Sequence, residues 1–265
     1  MSSGNAVMDL ETGTGWTRGL NNLLRSEVGR WFGTRQWWVQ ILIWAAIVNG
    51  IPIMAAVGTK DKVGLDIAML FNVFLGMAGP VGVCILMQEA VVGEKRSGTA
   101  AWLLSKPVSR LSFLASKLAG NVLGITVTMI LVPGLITYLS AALLVDTTLP
   151  PLGFAAGMGA HLVNLLFYVG LTLMLGALFD DGAPVIGLPL AFLFAQQYLP
   201  GLHPALVNAI PWTLTAPPGG GAVPAVTTAL MSGLPAATYL PLLTTGTAAA
   251  LFVVVAVLVF RRQDL

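Results

Sequence analysis

Residues 118–145 run for 28 positions without one charged side chain. A helix needs only ~20 apolar residues to cross a bilayer core, so this stretch either tilts or projects beyond the membrane. Comparable stretches occupy residues 37–57, 67–87, 152–179, 183–199 and 239–260. The pattern predicts an all-α polytopic membrane protein with about six spans. Composition agrees, with 56% apolar and 9% charged residues, where soluble domains carry roughly a quarter charged. The one cysteine, Cys84, sits inside an apolar run. It excludes a disulfide framework and reads as a small packing residue.

Several spans carry breakers. Asn49-Gly50 and Pro52 predict a kink in the first, and Pro133-Gly134 a bend in the third. Gly76, Gly79-Pro80 and Gly82 are expected to loosen the second. Trp37 and Trp38 open the first span as interface anchors. Ahead of them, residues 1–15 are polar and Gly-rich, predicting a flexible tail without the pattern of a signal peptide. From residue 16 apolar side chains recur at helical spacing, at Trp16, Leu20, Leu23, Leu24, Val28, Trp31 and Phe32. Arg18, Asn21, Asn22, Arg25 and Arg30 fill the other side. Residues 16–35 therefore read as an amphipathic helix lying in the membrane interface, or else packed on a soluble partner.

The segment 200–238 has no Lys, Arg, Asp or Glu but many Pro and Gly. An aqueous loop of that length would carry charge. Short helices dipping into the outer leaflet, buried against protein, fit better; an additional pair of spans is the alternative. Basic residues gather at one side, at Arg18, Arg25, Arg30, Arg35, Lys95, Arg96, Lys106, Arg110, Lys117, Arg261 and Arg262. The other side has Lys60 and Lys62, offset by Asp61 and Asp66. Lys and Arg flanking spans stay in the cytoplasm, so both termini and the loop 89–117 are expected there.

That loop orders its chemistry distinctly. Glu94, Lys95 and Arg96 lead to Ser97-Gly98-Thr99, then an apolar run 100–104 containing Trp102, Leu103 and Leu104. Lys106-Pro107, Ser109-Arg110 and Lys117 follow. Ser97 or Thr99 can cap a short helix, Pro107 ends it, and Ser109 can cap the next span. A short apolar helix with no membrane depth to hide in suits docking on another protein, or else lies on lipid.

This order resembles the cytoplasmic loop of ABC-2-type ABC transporter permeases. The shared elements are the charged cluster at Glu94, Gly98-Thr99, Leu103-Leu104, the Pro-x-Ser-Arg at 107–110, and Lys117. The resemblance extends loosely over the whole chain, through the number of spans and the basic ending. It implies that the short helix is a coupling helix that contacts a nucleotide-binding subunit. Glu94, Arg96, Ser97, Gly98, Thr99, Trp102, Leu103, Leu104, Pro107 and Arg110 are then the coupling residues. It also implies a multi-pass protein of a prokaryotic cytoplasmic membrane, working with a second copy or a similar permease. The chain holds no Gly-x-x-x-x-Gly-Lys-Ser/Thr loop, so ATP and Mg are expected on a partner ATPase, with no cofactor here. The substrate stays open among lipids, amphipathic drugs, peptides and polyketides. No nucleic-acid partner is expected.

Other residues are weaker candidates. Glu89 and Glu94 flank the second span and can pair with an Arg of the interfacial helix or with Arg96, or gate. His161 and Asn164 lie one turn apart in the fourth span, where polar groups usually face a partner helix or a cavity. Gly153-x-x-x-Gly157 beside them predicts close helix packing. Asp180-Asp181 can cap a turn or meet a partner's Lys or Arg. Enzyme readings find no His-Glu-x-x-His and no Gly-x-Ser-x-Gly, and no metal site is expected. A subunit delivering ions or metal to a maturation system, or an intramembrane enzyme, is the alternative.

Overall fold

Six helices in the computed structural model are long and apolar enough to cross a membrane. It describes residues 15–58, 66–217 and 224–262. The expected tail up to residue 14, the lysines at 60 and 62 with Asp61, the Gly-rich stretch 218–223 and the last three residues lie outside the described residues. In chain order the helices are α1 (Leu20–Phe32), α2 (Gln36–Gly58), α3 (Ile67–Arg96), α4 (Thr99–Leu104), α5 (Arg110–Leu144), α6 (Pro151–Leu178), α7 (Gly182–Gly201), α8 (Trp212–Thr215), α9 (Val226–Met231) and α10 (Leu240–Arg262). Among the described residues there is no strand. The chain is an all-α polytopic membrane protein.

Burial identifies the centre. Of its most apolar window, α6 hides 67%, against 28% for α2 and 17% for α10. Helices α3, α7, α9 and α10 pack around it. The outer faces carry Leu42, Met54 and Val57 on α2, Leu135 and Leu143 on α5, and Leu243, Leu251 and Leu258 on α10, all exposed. An apolar surface this extensive is unfavourable in water and suits lipid.

The glycines of α3 do not loosen it, because the helix is continuous to Arg96. They make room for neighbours. A Cβ on Gly82 would strike the Trp44 ring of α2, one on Gly76 would lie 2.6 Å from Thr215, and one on Gly79 would lie 2.9 Å from Leu165 of α6. In α5 the irregularity lies at a π-helical turn, Thr126–Leu131, just ahead of Pro133. Proline lacks an N–H and its ring crowds the carbonyl four residues back, so the preceding turn widens. Across from it, Asn49 donates through Nδ2 to the Pro133 carbonyl (3.0 Å) and to Thr137 Oγ1 (2.7 Å). The polar break expected in α2 is thus a pin between α2 and α5, within a helix that runs unbroken past Pro52.

The end opposite the charged loop is closed by broken helices. Beyond α7 come a 3-10 turn at Pro204–Asn208, then α8 and α9. None is long enough to cross a membrane, and the described residues hold no additional span pair. Polar groups of this segment are bonded within the chain. Gln196 donates to Tyr168 OH (2.8 Å) and accepts from the Trp212 N–H (3.1 Å), while Thr227 donates to the Leu214 carbonyl (2.8 Å). Gly153 and Gly157 of α6 admit α9: a Cβ on Gly153 would lie 2.5 Å from the Leu230 carbonyl, and one on Gly157 would meet Met231. The small-residue pair therefore seats a short capping helix, not another span.

These contacts predict a paired outcome. Gly82→Leu should lower stability by ~1–3 kcal/mol through overpacking, seen as a reduced Tm in detergent. Gly50→Leu, where a Cβ meets nothing within 4 Å, should leave Tm nearly unchanged.

Candidate functional site

The loop between α3 and α5 is built from a few local rules. Ahead of it, α3 widens into a π-helical turn at Glu89–Gly93, whose Val91 and Val92 are buried. The helix then stops at Gly98, which takes the left-handed conformation (φ 72°) that glycine adopts without strain. Gly98 is also the residue from which α4 starts, and no side chain caps it. This corrects the capping role expected of Ser97 or Thr99. Ser97 instead bonds the Glu94 carbonyl (3.3 Å) and the Thr99 hydroxyl (2.9 Å). Pro107 follows α4 and prevents its continuation. Ser109 caps α5, its Oγ accepting from the Ser112 N–H at 2.9 Å. The Ser109 N–H in turn donates to the Arg18 carbonyl (3.1 Å), tying the loop to the chain ahead of α1.

Helix α5 begins at Arg110, about two turns before the apolar run from Leu118. Lys117 is therefore inside the helix and almost wholly buried, its side chain 4% exposed. Its ammonium donates to two carboxylates, Glu27 of α1 and Glu94 at the end of α3. Glu27 also pairs with Arg30 at 2.8 Å. One turn along, Asn121 Oδ1 accepts from the Trp31 indole N–H (3.2 Å), and its amide donates to the Lys117 carbonyl (2.7 Å). Gly120 and Gly124 clear the way for Glu27 and the Trp31 ring. The inward face of α1 thus carries Glu27 and Trp31 against α5. The sequence reading placed only apolar side chains on that face and missed Glu27. Its signal was present, since Glu27 falls four positions before Trp31 and three or four after Leu23 and Leu24, on the apolar stripe.

Two further ties hold the loop. Lys95 pairs with Asp180 (3.2 Å) and donates to the Ala177 carbonyl (3.1 Å), while Arg96 pairs with Asp181. The acidic turn between α6 and α7 is thereby met from within the chain, not left for a partner's Lys or Arg. Arg110 donates to the Arg261 carbonyl (3.1 Å) at the end of α10, where helix carbonyls lack intrahelical partners. Phe113 and Phe260 stack beneath it, 5.5 Å between centroids.

Contacts therefore bring α1, the end of α3, α4, the start of α5, the α6–α7 turn and the end of α10 to one end of the bundle. All basic residues among the described ones lie on these elements or within three positions of them. The opposite end has Asp66 and Asp146 among the described residues.

Of the ten expected coupling residues, Glu94, Arg96 and Arg110 are engaged in these ties. Ser97, Gly98, Thr99, Trp102 and Pro107 are exposed. Trp102 is 60% exposed, and the Lys106 ammonium sits 4.1 Å over its ring. Leu103 is half-buried and packs against the chain's own core, so Trp102 and Leu103 do not form one outward apolar face. The Leu104 side chain lies outside the described residues. Glu94 pairs with Lys117, not with an arginine, and Glu89 is exposed and forms no ion pair among the described residues. His161 and Asn164 are buried in α6, toward the broken helices. His161 Nε2 bonds Asn72 Oδ1 (2.5 Å), and Asn72 donates to Thr228 of α9 (3.0 Å). Among the described residues no group of three His, Cys, Asp or Glu is placed to hold a metal ion.

Residues 41–265 match the family described as "Protein of unknown function (DUF2705)". That covers most of the chain, which belongs to this family. No curated protein matches it.

The buried cluster makes a prediction. Lys117→Met leaves two carboxylates without their shared cation, and breaking a buried pair costs ~3–5 kcal/mol. Its Tm in detergent should fall steeply. The triple variant Lys117→Met, Glu27→Leu, Glu94→Leu should recover most of that loss, because the charge that then loses its partner, Arg30, is partly exposed to solvent.

Proposed function

We propose that this DUF2705 chain is the membrane subunit of an ATP-driven ABC-2-type transporter, exporting a hydrophobic or amphipathic substrate. The observation that carries the reading is α4, a short helix at the edge of the bundle that turns Ala100 and Leu103 inward and leaves Trp102, with Lys106 just after it, exposed. It is tied at both ends to the bundle. Glu94 and Lys117 lock α3 to α5 and α1, and Arg110 locks α5 to α10. A push on α4 is therefore delivered to several membrane helices at once. The order of residues in this loop, which resembles that of ABC-2 permeases, supports the same reading.

The basic end lies in the cytoplasm, as positive flanks dictate, and both termini with it. The membrane is the cytoplasmic membrane of a prokaryote. A separate ATPase binds ATP and Mg, docks α4 and moves it as it closes. Interfaces concentrate their energy in a few exposed aromatic and arginine anchors, and Trp102 is the anchor on this side. A second permease, identical or homologous, completes the path between two membrane halves.

The test is affinity purification from native membranes in mild detergent with ATP present. A stoichiometric chain with a Walker loop should accompany the wild type. Trp102→Asp should reduce that recovery at least about tenfold, on the order of 1.4 kcal/mol or more, while the protein still inserts and elutes as a monodisperse species. A wild-type chain recovered alone, or undiminished recovery with Trp102→Asp, would overturn the assignment.

A further inference from the structure

A second site lies beside the ion cluster. A cavity of about 90 Å³ opens at the junction of α1, α2, α3 and α5. Its walls include Arg30, Gln36, Gln40, Glu89 and Asn121. We propose that it binds the headgroup of an aminophospholipid of the phosphatidylethanolamine class, drawn from the adjoining leaflet. The proposal depends on the membrane fold alone and not on the transport reading.

Depth comes first. The pocket sits where α2 enters the bilayer, for Gln36 and Gln40 occupy its first two turns. Between them, Trp37 and Trp38 stack at 4.2 Å, and paired indoles mark the headgroup layer of a membrane. From there the same face of α2 changes character. At helical spacing, Gln36 and Gln40 are followed by Ile43 and Ile47, both exposed. Amides followed by an apolar track match a headgroup followed by its acyl chain.

Charge comes second. Glu89 presents a carboxylate that forms no ion pair among the described residues. It stands at the π-helical turn of α3, a distortion that recurs at functional sites. Arg30 supplies the opposite charge. Its contacts to Glu27 and Asn121 both use Nη2, and a guanidinium has five N–H donors in all. One wall thus offers donors to a phosphate, and another offers an acceptor to an ammonium. An anionic headgroup would satisfy Arg30 and be repelled by Glu89.

Hydrogen bonding decides between the zwitterions. The cavity has room for several water molecules, hence for a primary ammonium on its ethylene arm. A choline headgroup carries three methyl groups there and no N–H to give to Glu89 or to the Gln36 amide oxygen; the Gln40 oxygen already accepts from the Trp44 indole N–H (3.0 Å). A charge-assisted bond of this kind is about twice as strong as a neutral one.

The experiment is a lipid titration of the full, delipidated chain, read by native mass spectrometry. The probes are dioleoyl phosphatidylethanolamine, phosphatidylcholine and phosphatidylglycerol. The wild type should retain the ethanolamine lipid about tenfold more tightly than the choline lipid. Glu89→Gln should abolish that preference, and Gln36→Ala should weaken it. Preference for phosphatidylglycerol, or an unchanged preference in Glu89→Gln, would overturn the proposal. A further arm adds soluble glycerophosphoethanolamine at the lipid's concentration. Failure to displace the lipid supports membrane-derived occupancy, and full displacement would assign the site to a free phosphoethanolamine compound.

Discussion

One ammonium between two carboxylates holds this molecule's charged end together. Lys117 is buried in α5, and its partners come from α1 and from the end of α3. Removing an ion from water costs several kcal/mol, which only close partners offset. That cost is what makes the cluster specific. Any slip of α1 along α5, or any rotation of the end of α3, strands a charge. The Arg96–Asp181 pair cannot do this, because both of its side chains are exposed and exposed ion pairs contribute ~0–1 kcal/mol.

Close approach of helices is the second condition. Gly120 and Gly124 let Glu27 and Trp31 reach α5, and Gly82 lets Trp44 lie across α3. In lipid, helices gain nothing by hiding apolar surface from one another, so association rests on tight packing and polar pins. Asn49 on Pro133 and Thr137, and His161 on Asn72, are such pins. The ion cluster and the glycine contacts are therefore one device. Small residues bring the backbones near enough for the charged side chains to meet inside the bundle.

Much of the fold was legible in the chain. Six apolar runs became six membrane-length helices, because a 20-residue stretch without charge has few other options. The candidate site was legible in part. Its loop stood out by charge, and the Ser109 cap and the stop at Pro107 follow from local backbone chemistry. Pairings did not stand out. Glu94 turned to Lys117, 23 positions on, and Glu27 to a lysine 90 positions away. The Asp180-Asp181 turn found Lys95 and Arg96 of its own chain. Each involves a choice among several opposite charges that local pattern does not rank. Leu103 shows the same limit, since a six-residue helix does not declare which of its apolar side chains faces home.

What the sequence determined by itself is the class of the protein and the side on which its charge collects. Both follow from solvation, which acts residue by residue: apolar runs leave water, and basic flanks stay in it. What only the tertiary structure decided is which charges are spent inside the bundle and which stay available. That division leaves Trp102, Lys106 and Glu89 facing outward. It depends on distances between helices far apart in the chain, and packing alone sets those distances.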